Sequence, residues 1–285
     1  MIILGWIKLY ESNMKNFLKK YLPSKLYNNL KKIKLFKEYL LVQKKKTKLI
    51  LAGVYFTLFK KNYYNQGVKI HIPFDLTDFK FRGRFVLNQY EVEEAKYLKK
   101  YLANDAKVLE LGGCIGYVSC LINKILIDKT QQVTLEANPK LINWIKKNRD
   151  ANNCSFFVEN SIISLKRENV FYIHDLIVGG STKRTATSEI IVNGVDFDFL
   201  EKKYDIVFDT LVMDIEGGEL DLLNNFKVNL SSFKRIFLEV HPFANILTVD
   251  EAIKCENILE SIGFELLLRD GNFQIWDKKT KQSVV

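Results

Sequence analysis

The sequence predicts an α/β fold with a mostly parallel sheet covered by helices on both faces, and three observations carry that prediction. VLELGGCIGYVSCLI (Val108 to Ile122) passes from one apolar run through Gly112, Gly113 and Gly116 into another, the pattern of a strand, a glycine turn and a helix. From there to the end of the chain, strand-like and helix-like segments alternate, as they do where parallel strands are joined by helical crossovers. VLEL and IFLEV are apolar almost throughout, which suits strands buried on both faces.

Residues 1–62 read as helices. Leu18, Leu22, Leu26, Leu30, Ile33, Phe36 and Leu40 recur at three- and four-residue steps among lysines, and Pro23 and Ser24 suit the first turn of a new helix. GVKIHIPF (Gly67 to Phe74) and FKFRGRFV (Phe79 to Val86) alternate like two strands joined by DLTD. QYEVEEAKYLKKYL (Gln89 to Leu102) is a helix with an apolar face. KVLEL is the first core strand and GYVSCLINKIL its helix; QVTLEA is the second, followed by PKLINWIKKNRDAN with Pro139 in its first turn. CSFFVEN is the third strand. A polar excursion containing VFYIHDLIVGGSTKRT and a strand SEIIVNGV comes next, then a short helix, VDFDFLEKKY. TLVMDIEG is the fourth core strand, ELDLLNNF a helix, RIFLEVHP the fifth strand, and VDEAIKCENILESIGF a helix closed by Gly263. FELLLRD and NFQIWDK, with Asp270-Gly271 between them, form a closing antiparallel hairpin.

The net charge of +10 is unevenly placed. Residues 1–69 hold 16 Lys against Glu11 and Glu38, whereas the remainder holds 27 basic and 31 acidic residues. The division expected is therefore a basic helical extension, 1–68, ahead of a mildly acidic domain, 69–285, and an acidic domain argues against nucleic acid as a partner. The four cysteines form no CxxC pair or Cys/His cluster, so neither structural zinc nor a disulfide framework is expected. LILAGVYFTLF spans only 11 residues between lysines, too few to cross a bilayer, and a cytoplasmic protein is the expectation.

Ligands of such sheets sit beyond the carboxyl ends of the strands, near the point where strand order reverses. Those ends are Glu110 to Gly116, Glu136 to Pro139, Glu159 to Ser161, Asp214 to Glu219 and Glu239 to Pro242, and each carries an acidic residue. Buried carboxylates are costly, and a functional site is the usual reason to keep them. The glycine turn reads E-x-G-G-x-x-G, which lacks the G-x-G-x-x-G of a dinucleotide site, and no Gly-Lys-Ser/Thr marks a nucleotide-phosphate loop. Glu136, 24 residues beyond Gly112, stands where a carboxylate can accept hydrogen bonds from two ribose hydroxyls.

This turn resembles the first motif of class I S-adenosylmethionine-dependent methyltransferases. LVMDIEGGELDLL (Leu211 to Leu223), followed by IFLEVHP (Ile236 to Pro242), resembles the paired signature of the FkbM family of these enzymes, and LEANP (Leu135 to Pro139) and the Tyr90-Glu91 pair fit the same pattern. The resemblance covers roughly Tyr90 to Phe264. It implies a Rossmann-like class I methyltransferase fold, S-adenosyl-L-methionine as cofactor, and methyl transfer to oxygen, often on a sugar, in pathways for surface glycans or secondary metabolites. The implied cofactor contacts are Glu91, Glu110, Gly112, Gly113, Gly116, Glu136, Ala137, Asn138, Asn160, Ser161 and Asp214. Family members commonly carry Asp-x-Gly-Ala-Asn-x-Gly at the first motif; Glu110, Gly113 and Cys114 depart from it.

A hydroxyl acceptor must lose its proton as it attacks, which calls for a nearby base, and the holding of the acceptor in line is the enzyme's other task. Asp214, Glu216 and His241 are the catalytic candidates, Asp214 first. Bland readings stand beside each: Glu216 as a carboxylate favoured by the helix dipole, His241 as a satisfied strand-end histidine, Asn160 and Ser161 as a loop cap, Tyr90 and Glu91 as helix-start residues. No His/Asp set at ligand spacing supports a metal. Methylation of a nitrogen or carboxylate on a small metabolite, and a non-catalytic cofactor-binding module, are the alternative functions. The basic N-terminal helices have two readings: a solvated cap packed by its leucines over the substrate side, which is the expectation, or a peripheral contact with an anionic membrane.

Overall fold

The computed structural model describes residues 24–173, 177, 188–242 and 247–279. Leu18, Leu22 and Pro23, together with His174 and most of the GGSTKRT excursion, lie outside them. The first element is one helix, α1 (Ser24–Phe59), followed by a hairpin of β1 (Asn62–Asn65) and β2 (Val68–His71). Gln66 and Gly67 form its turn at φ 48° and 78°. The expected division between residues 68 and 69 thus falls inside this hairpin.

FKFRGRFV is a helix, α2 (Phe79–Val86), and not the expected strand. Two local causes outweigh its alternating pattern. The Asp78 side chain accepts from the Phe81 N–H as an N-cap. Gly83 and Gly53 also let α2 and α1 cross with backbone against backbone: a Cβ on Gly83 would run into the Leu49 carbonyl, and one on Gly53 into that of Phe79. The same residues that alternate along a strand place Phe81 and Phe85 on one helical face, buried with Phe56 and Tyr63.

The remaining elements follow the expected order. They are α3 (Val92–Tyr101), β3 (Val108–Leu111), α4 (Tyr117–Ile125), β4 (Gln132–Leu135), α5 (Pro139–Ala151) and β5 (Phe157–Glu159). A small side sheet of β6 (Ile162–Ile163), β7 (Glu168–Ile173) and β8 (Ser188–Val195) comes next. Then come α6 (Phe197–Tyr204), β9 (Thr210–Met213), α7 (Glu219–Asn225), α8 (Lys227–Leu230), β10 (Arg235–Glu239), α9 (Val249–Ser261), β11 (Phe264–Asp270) and β12 (Phe273–Lys278). Thr248 and Glu251 close α9 with a capping box.

The main sheet has the order β11-β12-β10-β9-β3-β4-β5, parallel from β10 to β5, with the hairpin as its antiparallel edge. Alternate residues of its strands feed opposite cores. Leu109, Leu111, Leu211, Met213, Ile236 and Leu238 pack on the side of α6, α7 and α9, while Val108, Val212 and Phe237 pack on α3 and α4. Strand order reverses between β3 and β9, because β4 extends the sheet on one side of β3 and β9 lies on the other. A crevice opens beyond those carboxyl ends.

Of the apolar positions expected to pack as a cap, only Ile33, Phe36 and Leu40 have described side chains, and these do not pack on the domain. Ile33, Phe36 and Leu40 are exposed at 52%, 61% and 49%, because α1 meets the rest of the protein through its last third, where Phe56 is buried and Gly53 crosses α2. Among the described residues no helix is long and apolar enough to cross a membrane.

Candidate active site at the strand ends

The glycine turn after β3 is held down by its own backbone. Gly112 and Gly113 both donate N–H bonds to the Leu135 carbonyl, each at 3.0 Å. Gly112, at φ +95°, passes so close to the Asp214 carbonyl that a Cβ there would overlap it. Gly113 sits over Thr134, where a Cβ would lie 2.6 Å from Cγ2. Cys114, in the left-handed region at φ 47°, turns its N–H toward Glu136 Oε2 at 2.8 Å. The other oxygen of Glu136 accepts from the Asn138 N–H at 2.7 Å. Two backbone donors thus fix this carboxylate, and each oxygen keeps a lone pair directed elsewhere. Burial pushes its pKa up to about 7 despite those two donors.

Gly112, Cys114, Glu136, Ala137, Asn138, Ser161 and the cluster described below line one cavity of about 710 Å³. Ser161 is buried, and its hydroxyl has no hydrogen-bond partner among the described residues. Asn160 turns away and donates to the carbonyls of Glu136 and Ala137, so it braces the loop. Glu110 is placed beneath the turn and outside this cavity: 1% exposed, it accepts from the Thr134 hydroxyl at 2.6 Å and from Gln132 at 3.4 Å. Burial raises its pKa to about 7. Gly116 opens α4 at φ +82° and packs on Ile145, away from the cavity.

The far end of the cavity gathers titratable groups from three elements. His241, just past β10, has Nδ1 3.2 Å from Glu219 Oε1. Its Nε2 lies 3.6 Å from Asp214 Oδ1, beyond β9, and 3.7 Å from Glu239 Oε1, the last residue of β10. Glu91, N-terminal to α3 at φ 48°, lines the same space, and Glu94, one turn on, is buried beside Glu239. Glu216, at φ 39°, completes the wall. Burial and mutual repulsion raise three of these pKa values: Glu91 to about 8, Glu239 to about 10, and Asp214 well above an ordinary aspartate. For His241 burial pulls downward, but the Glu219 contact and the charges of Glu239, Glu219 and Glu216 outweigh it and raise the pKa.

Asp214, Glu216 and His241 are therefore brought together as the sequence suggests, and Glu136 with Ser161 stands at the other end of the same cavity. Glu94 and Glu219 were not legible as site residues. The three-residue step from Glu91 to Glu94 places both on one helical face, a signal that existed; nothing in the sequence marks Glu219 as the partner of His241. The expectation that no ligand set exists is also altered by the fold. Asp214, Glu239 and His241 bring three ligand-type atoms within 4.8 Å of one another, although they stand 25 and two residues apart in the chain.

Residues 110–266 match the FkbM methyltransferase domain. No curated protein matches the chain. Among solved structures, a precorrin-6y C5,15-methyltransferase from Geobacter metallireducens is 17% identical, with a TM-score of 0.42, covering 67% of this chain and 87% of that one. An O-methyltransferase from Bacillus cereus, solved in complex with SAH, is 16% identical at a TM-score of 0.39, covering 66% and 79%. An uncharacterized protein from Listeria monocytogenes serotype 4b is 14% identical at 0.42, covering 66% and 68%.

Proposed function

Because the chain belongs to the FkbM methyltransferase family, we propose that it uses S-adenosyl-L-methionine to methylate a hydroxyl oxygen of a sugar or glycan. The observation that carries this reading is the single cavity with two chemically different ends. At one end a buried carboxylate, fixed by two backbone N–H groups, keeps lone pairs for two ribose hydroxyls, and the unpartnered Ser161 hydroxyl offers a contact to a base. Gly112 lines the cavity as bare backbone, since a Cβ there would overlap the Asp214 carbonyl. These residues fit an adenosyl group that carries no phosphate. When bound, this cofactor supplies a methyl group already activated on a positively charged sulfur.

At the other end Asp214, with Glu216 and His241 beside it, receives the proton that a hydroxyl acceptor must lose. A carboxylate whose pKa is raised is a stronger base once ionised, and a cationic ligand nearby favours that ionisation. Glu219 orients the His241 ring by holding Nδ1. A polyhydroxylated acceptor can donate hydrogen bonds to a wall that carries several carboxyl groups.

Incubation with methyl-labelled cofactor and host glycan extract, followed by mass spectrometry, tests the reading. A methylated sugar is the expected product. Label on an amine or carboxylate would favour the alternative acceptors. Stabilisation by SAH without any transfer would favour a binding module, and stabilisation by NAD alone would sink the family-based reading.

The exposed part of α1 supports a lipid surface as partner. Ile33, Leu35, Phe36, Tyr39, Leu40, Leu41 and Val42 are exposed there, close in the chain to the exposed Lys37, Lys44, Lys45, Lys46 and Lys48. Lysines beside exposed apolar residues suit an anionic bilayer, each contributing about 1 kcal/mol near the surface. Co-sedimentation with phosphatidylglycerol vesicles, absent with phosphatidylcholine, is the expected result; equal recovery with both would refute an electrostatic contact.

A further inference from the structure

Asp214, Glu239 and His241 have the separations of ligands around a cation and not those of a hydrogen-bonded network. Two donors about 2.1 Å from one ion lie about 3.0 Å apart at a right angle and about 3.4 Å apart in a tetrahedron. His241 Nε2 is 3.6 Å from Asp214 Oδ1 and 3.7 Å from Glu239 Oε1, slightly beyond hydrogen-bond range and within a few tenths of an ångström of the tetrahedral spacing, and all three ligand atoms lie within 4.8 Å of one another. Asp214 Oδ1 is buried and has no hydrogen-bond partner among the described residues. Behind the ring, the Glu219 side chain is completely buried, 0% exposed, and spends one oxygen on Nδ1 while the other has no hydrogen-bond partner among the described residues. A carboxylate holding the remote nitrogen of a histidine is the usual outer support of a metal-ligating imidazole, since it fixes the ring's direction and raises its basicity.

We propose that Asp214, Glu239 and His241 form a divalent-cation site, with Glu219 as its positioning residue. Charge points the same way. Glu91, Glu94, Asp214, Glu216, Glu219 and Glu239 converge on one histidine, and a divalent ion offsets this repulsion more fully than one imidazolium does. One imidazole with two carboxylates suits Mn²⁺, Fe²⁺, Co²⁺ or Zn²⁺ better than Mg²⁺ or Ca²⁺. Three protein ligands leave open positions facing the cavity, where oxygens of an acceptor can bind. That role rests on the methyl-transfer reading, whereas binding of the ion does not. With Nε2 occupied, His241 acts as a ligand and not as the base, and Asp214, bound through Oδ1, keeps its other oxygen for the acceptor's proton.

Titration of metal-stripped protein with Mn²⁺, following the free ion by electron paramagnetic resonance, tests the site. The expected result is one Mn²⁺ per chain, with affinity falling at least about tenfold in His241→Ala and in Glu239→Gln. The isosteric second variant covers the case in which the first does not fold. Glu219→Gln should weaken binding less than either. Absence of Mn²⁺ binding, or binding that both ligand variants leave unchanged, would overturn the site. Calorimetry with SAH on the same metal-stripped wild-type protein is read separately: SAH binding without Mn²⁺ binding removes the cation alone, and Mn²⁺ binding without SAH binding removes the cofactor reading alone.

Discussion

Glu110→Gln separates a carboxyl that sustains the glycine turn from one that holds a ligand. Glu110 is 1% exposed, and burial lifts its pKa from the ordinary 4.5 to about 7. The sign follows from proton linkage. The folded state binds the proton more tightly than the unfolded chain, so Glu110 costs nothing below about pH 4.5 and its ionisation increasingly opposes folding as pH rises to 7. At 1.36 kcal/mol per tenfold change in proton affinity, the full cost is about 3 kcal/mol, of which about 2.5 kcal/mol develops between pH 5 and pH 8. A glutamine keeps an acceptor for the Thr134 hydroxyl and cannot ionise. Urea unfolding of both proteins at pH 5 and pH 8 should therefore show the variant gaining about 2.5 kcal/mol on wild type over that interval; acids not coupled to Glu110 cancel in the difference, and Glu136, whose pKa the Glu110 charge helps to raise, shifts it in the same direction. A difference that moves by less than about 0.5 kcal/mol would refute the linkage. SAH affinity should stay within about threefold, because Glu110 lies outside the cavity; a tenfold loss, about 1.4 kcal/mol, would place it in ligand contact after all.

Glu136→Gln should weaken SAH binding by about 10- to 100-fold by calorimetry, since hydrogen bonds to a charged acceptor are worth about 1.5–3 kcal/mol; an unchanged Kd would remove Glu136 from the ribose site. In wild type the same affinity should fall as pH drops below 7, where Glu136 takes up its proton; a flat profile from pH 8 to pH 6 would contradict this. Gly112→Ala should lower stability by about 3 kcal/mol or prevent folding, because its Cβ meets the Asp214 carbonyl at a left-handed φ; a melting temperature within 2 °C of wild type would be inconsistent with that contact. Asp214→Asn should cut turnover at least about 100-fold while leaving SAH affinity within about fivefold, and an unaltered rate would exclude it as the base.

The core of the fold was readable because its signals are local. Apolar runs, a glycine turn and Pro139 at a first turn each act within a few residues, and the expected alternation reappears in β3 through β12. The N-terminal quarter was less legible because its structure depends on distant partners. Phe79–Val86 suits either a strand or a helix by pattern, and the crossing of Gly53 with Gly83 joins residues 30 apart in the chain. The hydrophobic steps along α1 are genuine, yet Ile33, Phe36 and Leu40 meet no partner among the described residues.

The site divides along the same line, and Cys114 shows why. In sequence it is an unexplained departure from the family's first motif. In three dimensions it adopts φ 47° so that its N–H reaches Glu136, a residue on the next strand. Glu91 at φ 48° and Glu216 at φ 39° are two more non-glycine residues in that strained region, and all three line the one cavity. Sparsely populated backbone conformations cost of order 1–3 kcal/mol each and persist where surrounding structure over-determines them. Here the strain aims one backbone donor at the Glu136 carboxylate and places Glu91 and Glu216 beside the strand-end acids. Residue types at strand ends could nominate Asp214, Glu136 and His241, because topology alone sends strand ends to the crevice. The bonds that set their charge and direction, Cys114 to Glu136 and Glu219 to His241, span 22 residues each. These bonds become visible only once the sheet has assembled.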